Sequence, residues 1–71
     1  MSEVQGVNFD RRKWTSDKAR QWMRQNKYKP IKRVHKTANQ LRYRIKNPKR
    51  FRRFRVKELG KGISLVLGFK R

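Results

Sequence analysis

The sequence predicts an α+β fold: one N-terminal helix packed on a small, mostly antiparallel four-stranded sheet. Three observations carry this. Residues 14–26 place apolar side chains at helical spacing behind an N-cap signature. Within residues 40–46, Leu41, Tyr43 and Ile45 alternate with Arg42, Arg44 and Lys46, a period of two that puts apolar groups on one strand face and cations on the other. Residues 63–69 (ISLVLGF) are the most apolar stretch and follow a glycine-rich turn.

Residues 1–7 are small, polar and weakly charged, and residues 8–13 add the first cations with one apolar anchor, Phe9. Residues 1–13 therefore read as a flexible basic arm and residues 14–71 as a single small domain. Thr15, or Ser16 almost as well, caps the helix, and Asp17 sits where the helix dipole favours negative charge. Trp14 before the cap is placed to pack on Ala19 as a staple. Ala19, Trp22, Met23 and Asn26 fall on one stripe, so Trp22 is expected in the core against Ile63, Leu65 or Leu67. Asn26 suits a left-handed C-cap, and Pro30 prevents continuation.

Residues 31–37 predict a weaker strand with Val34 as its β-branched interior residue. Ala38-Asn39 then predicts a tight hairpin into the strand at 40–46, because Asn tolerates positive φ. Asn47-Pro48 ends that strand, since proline lacks an N–H and fixes φ. Residues 48–51 form a turn or a single helical turn that tucks Phe51 under the sheet. A third strand at 53–58 is expected to point Phe54 and Val56 inward. Gly60-Lys61-Gly62 is a hairpin turn whose glycines take positive φ. Residues 63–69 are the fourth strand, with Val66 and Gly68 on its second face suggesting a central or covered position. Gly68 marks a bulge or a close approach.

The composition narrows the function. Seventy-one residues lie near the lower limit for a domain that folds alone, and there is no cysteine to form a disulfide or thiolate metal site. His35 is the one histidine and has no evident carboxylate partner. Glu3, Asp10, Asp17 and Glu58 are the only acids and are scattered, so no acid–base pair is visible. The Gly60 turn lacks phosphate-loop spacing and no helix follows it. No enzyme and no cofactor is expected. No secretory segment or membrane-length apolar run is seen, so the protein is expected inside a cell or a particle and not secreted.

The net charge of +19 rests on 23 Lys and Arg, and none of the acids falls between Lys18 and Lys57. High charge with low hydrophobicity is also a mark of disorder, but the periodic apolar residues favour a folded domain. Lysine and arginine neutralise phosphates without reading sequence, and arginine forks onto a phosphate with two N–H groups. Arg42, Arg44, Lys46, Arg50, Arg52, Arg53, Arg55 and Lys57 are the expected phosphate contacts, with Arg11, Arg12 and Lys13 from the arm. Trp22, Tyr43 and Phe54 fall on apolar parities and read as core. Tyr28 and Phe9 are then the aromatics left to stack on bases, which argues for backbone contact rather than base reading.

The pattern Trp14-x-x-x-Lys18-Ala19-x-x-Trp22-Met23, then Tyr28-Lys29, Leu41-Arg42-Tyr43-Arg44-Ile45, Pro48-x-x-Phe51, Phe54-Arg55 and Leu59-Gly60-Lys61-Gly62-Ile63 resembles a small module in virion-associated proteins of tailed bacteriophages and large DNA viruses. The resemblance spans residues 14–69 and its motifs are structural. It implies a viral origin and a place in the particle, on the packaged genome or beneath the capsid. The arginine excess at 50–55 departs from the pattern and favours the genome. Three readings follow. The first is a phosphate-contacting nucleic-acid-binding protein, of DNA before RNA, found in the virion or in the host nucleoid, nucleus or cytoplasm. The second is a minor capsid or cement protein whose basic face meets capsid protein or genome. The third is a ribosomal-type RNA-binding protein.

Overall fold

The computed structural model describes residues 2–70; Met1 of the expected arm and Arg71 of the expected domain lie outside them. The fold is α+β, with one helix on a five-stranded antiparallel sheet. The strands are β1 (Ser2–Asp10), β2 (His35–Lys36), β3 (Gln40–Arg44), β4 (Phe51–Gly60) and β5 (Ile63–Lys70), and helix α1 is Ser16–Gln25. Their order across the sheet is β2-β3-β1-β5-β4. No helix is long and apolar enough to cross a membrane among the described residues.

The largest departure from expectation is at the N-terminus. Instead of a flexible arm, residues 2–10 form the central strand, paired with β3 on one side and β5 on the other. Val7 and Phe9 are completely buried. A bulge at Gln5 explains why no period-two signal announces this strand. Val4 and Val7 are three residues apart yet both pack on the core beneath the helix. The extra residue is not left idle. The Gln5 carbonyl accepts from the N–H groups of Ile45 (2.8 Å) and Lys46 (3.0 Å). Its side-chain amide donates to the Lys46 carbonyl at 2.9 Å.

The helix forms where expected. The Thr15 hydroxyl accepts from the Lys18 N–H at 3.3 Å, and Ala19 and Met23 are buried. Trp14 lies against Phe9, with ring centroids 5.1 Å apart, and its indole N–H donates to the Lys61 carbonyl at 2.8 Å. Asn26 is not left-handed, with φ −98°. The left-handed residue is Lys27, at φ 63°. Tyr28 N–H donates to Met23 O (2.8 Å) and Lys27 N–H to Arg24 O (3.2 Å). Those two bonds define a Schellman cap, a site glycine usually fills. Its usual hydrophobic contact is Tyr28 stacked on Trp22 at 6.0 Å. Trp22 is therefore half-buried, between Tyr28 and the edge of Phe9, rather than central to the core.

The expected strand at 31–37 shrinks to the two residues of β2. Ile31 hydrogen-bonds instead to the Arg44 carbonyl, leaving its side chain 54% exposed. The Ala38-Asn39 turn forms without a left-handed residue. Thr37 N–H donates to Gln40 O at 2.9 Å, and the Thr37 hydroxyl takes the Gln40 N–H at 3.0 Å. Pro48–Arg50 makes one 3-10 turn, capped by the Asn47 side chain on the Lys49 N–H. At the β4–β5 turn Gly60, Lys61 and Gly62 all have positive φ, at 81°, 56° and 78°.

The helix lies on one face of the sheet over a core of Val7, Phe9, Ala19, Met23, Leu41, Tyr43, Ile63 and Leu65. A helix about 10 Å wide cannot cover five strands spaced about 4.8 Å apart. No residue of β4 belongs to the core cluster. This decides which way β4 turns its side chains.

Candidate nucleic-acid interface

Register places each expected contact residue. On β3, Leu41 and Tyr43 are buried beneath the helix and Arg42 and Arg44 stand exposed on the other, open face. Arg44 pairs with Gly6, which pairs with Val66, which pairs with Val56. Side chains directly opposite on neighbouring strands share a face. Val56 and Phe54 therefore lie on the open face with Arg42 and Arg44, not inward. They are 62% and 45% exposed. Arg53, Arg55 and Lys57 pair with Phe69, Leu67 and Leu65, which puts them on the helix side of the edge strand, beyond the helix's reach.

The expectation of one arginine patch from Arg42, Arg44, Arg53 and Arg55 is thus corrected: the two pairs face opposite ways. The cause is Phe51. A bulge between Phe51 and Arg53 offsets the start of β4, and the Phe51 ring lies over Gly68, where an added Cβ would come within 2.5 Å of it. Phe51 is buried there and meets Phe54 edge-on at 6.0 Å. With no helix above it on the other side, β4 places its apolar residues beside Phe51 and Val66.

The other expected cations are dispersed. Lys46 reaches Glu3 at 2.8 Å, and Lys70 approaches the same carboxylate at 3.7 Å. The Lys46 hydrogen bond, with the two nearby ammonium charges, holds the Glu3 carboxyl below its usual range. Arg11 donates to the Thr37 carbonyl at 2.7 Å and so ties the β1–α1 turn to the β2–β3 hairpin. Arg12 pairs with Asp10, whose carboxylate accepts the Arg12 backbone N–H at 2.9 Å and titrates lower for it. Lys13, Arg50 and Arg52 are exposed.

The open face is a groove of about 770 Å³ whose lining includes Gly6, Val66, Val56, Phe54, Arg42 and Arg44. Lys32 and Arg33, from the segment before β3, complete its cationic side, and His35 lines it beside them. Sequence reading missed this rim. The signal in the sequence is the basic run Lys32-Arg33 after Pro30, which falls within the strand expected at residues 31–37. The aromatics reserved for stacking are not free: Phe9 is completely buried and Tyr28 lies on Trp22. Among the described residues, no three His, Cys, Asp or Glu side chains are grouped to hold a metal ion. No family model, curated protein or solved structure matches the chain.

Proposed function

We propose that this chain is a non-catalytic nucleic-acid-binding protein that engages the phosphate backbone, of DNA before RNA, as a component of a viral particle or its packaged genome. The particle setting rests on the sequence resemblance. The binding rests on one observation: among the described residues every Lys and Arg but Lys46 is exposed, and almost none is neutralised. Among the described residues only Arg12, Lys46 and Lys70 join ion pairs, against a net charge of +19. Self-repulsion at this density opposes the compact state, and a bound polyanion relieves it.

A salt titration tests the proposal. If six to eight phosphates are engaged, log K against log salt falls with a slope of about −5 to −7 on duplex DNA. A slope shallower than about −2 on both DNA and RNA refutes it. Arg42→Gln/Arg44→Gln and Arg53→Gln/Arg55→Gln, made separately, report which face is used. The pair on the binding face lowers the slope by nearly one for each phosphate no longer engaged, uniformly across sequences, and leaves the melting temperature equal or higher.

A further inference from the structure

We infer that the open face takes unpaired, single-stranded nucleic acid, with Phe54 as a stacking platform for a base and Arg42, Arg44, Lys32 and Arg33 on its phosphates. The inference rests on the phosphate-contact reading and deepens it. Three features carry it.

The first is a side chain in an unusual place. Phe54 is a large apolar residue, 45% exposed, on a strand that also carries Arg52, Arg53, Arg55 and Lys57. Its ring is held, not loose, because Phe51 supports it edge-on at 6.0 Å, and Phe51 is itself seated on Gly68. A supported, half-open ring is what base stacking needs, and stacking tolerates any sequence because every base has a π-face.

The second is the division of the groove. Across one row of the open face, Arg44 is followed by Gly6, Val66 and Val56. Gly6 leaves the floor without a side chain between the arginines of β3 and the apolar residues of β5 and β4. Its backbone sits tight against β3, with the Tyr43 carbonyl 2.9 Å from where a Cβ would be. The groove is thus cationic on one side and flat and apolar on the other. An unpaired strand matches both sides, having phosphates along one edge and bare ring faces along the other. A duplex has the phosphates but keeps its bases stacked inside, so Phe54 stays unused. An acidic peptide brings the charge without the rings. A second copy of this chain would set like charges against each other.

The third is that one acid free of any ion pair among the described residues, Glu58, bounds the β4 end of the next row of this face, whereas Glu3, in the row of Phe54, is paired with Lys46 and Lys70. In the adjacent row, His35, Arg42, Asn8, Ser64 and Glu58 follow one another across the sheet. Glu58 at the β4 end of that row repels phosphate. A bound backbone is thereby kept to the β2–β3 side, with its bases turned toward Phe54.

The experiment measures the intact chain, by anisotropy, on a labelled single strand of about 16 nucleotides, ample for one site, and on the same sequence as a duplex. Phe54→Ala and Phe54→Leu are compared with Phe54→Trp, all checked for unchanged melting. We expect Ala and Leu to weaken single-strand binding by about tenfold or more and duplex binding less than about twofold. Phe54→Trp should keep single-strand affinity, and the emission it adds to that of Trp14 and Trp22 should be quenched on binding. If Ala and Leu leave single-strand affinity unchanged while a steep salt slope remains, this inference is overturned and the phosphate-contact proposal stands. If the wild type shows no steep slope on any nucleic acid, both fall. Concentration-dependent self-association or acidic-peptide binding that needs Phe54, with single-strand binding indifferent to it, also overturns the inference.

Discussion

Replacing Gly68 by alanine tests the packing that fixes the open face. The new Cβ would lie 2.5 Å from Cγ of Phe51 and 2.7 Å from Cδ1 and Cδ2. Cγ is the root of the ring, so spinning the ring about its own axis relieves nothing. The ring must lift or β4 must shift off β5. A buried phenylalanine hides about 150–250 Å², and Phe51 is only 3% exposed. Losing a third to a half of that burial, at about 25 cal/mol per Å², costs about 1–3 kcal/mol. Overpacked cores lose a similar amount. A domain of 71 residues has about 4–10 kcal/mol in all, so Gly68→Ala should still fold, melting about 4–8 °C lower per kcal/mol lost. Phe51→Ala alone should cost about 3–5 kcal/mol. The informative variant is the double. With the ring gone, the alanine at 68 has nothing to strike, so Phe51→Ala/Gly68→Ala should be no less stable than Phe51→Ala. The coupling read from urea midpoints should be about 1–3 kcal/mol. Simple additivity, or a harmless Gly68→Ala, would mean that Phe51 does not sit on Gly68. The brace that Phe51 gives to Phe54 on the open face would then lose its seat.

Four further outcomes follow from the packing. Lys27→Gly should raise stability by about 0.5–1 kcal/mol in thermal melts, since it relieves a left-handed lysine at the helix C-cap; a loss would refute the cap assignment. Phe9→Ala should cost about 3–5 kcal/mol and Trp22→Ala about 2, because Phe9 is fully enclosed and Trp22 half-open; the reverse order would undo the packing scheme. Deleting residues 2–7 should abolish the cooperative transition by circular dichroism, whereas a disposable arm would leave it intact. The folded-state pKa of Glu3 lies below its ordinary 4.5, so the stability from its pairing is full above that value and is lost as pH falls through the folded pKa. Urea midpoints taken from about pH 6 down to pH 3 should therefore fall less for Glu3→Gln than for the wild type.

Where local chemistry was complete in itself, the sequence was readable. The Thr15 cap, the stripe through Ala19 and Met23, the alternation on β3 and the glycine turn at 60–62 each depend on neighbours within a few residues. What escaped depended on distant partners. β1 lost its period at Gln5, and that bulge is held in place by Ile45 and Lys46 from the far side of the chain. The alternation of β4 was legible, but not which face would be inside. That depended on a helix too narrow to reach β4 and on a glycine at 68 that seats Phe51. The same error passed into the site. The named cations other than Lys46 are exposed, but facing Phe54 and Val56 inward gathered onto one side arginines that lie on two, and it concealed the ring in the groove. Lys32 and Arg33 lie in a run whose pattern suits a strand, so nothing local in the sequence sets them on the groove's rim.

The central position of β1 also sets the order of events during synthesis. Its partners are β3 and β5, and Ser2 pairs with Phe69, so the first strand made waits for the last. At about 5–20 residues per second the stretch from the end of β1 to the end of β5 takes roughly 3–12 seconds, during which the middle strand lacks at least its β5 partner. Contacts this remote in sequence also make the closing step slow in its own right. A nascent chain holding Val4, Val7 and Phe9 open for that long is exposed to association with its neighbours. Its cations then act before any ligand is bound, by keeping unfinished copies apart until β5 arrives.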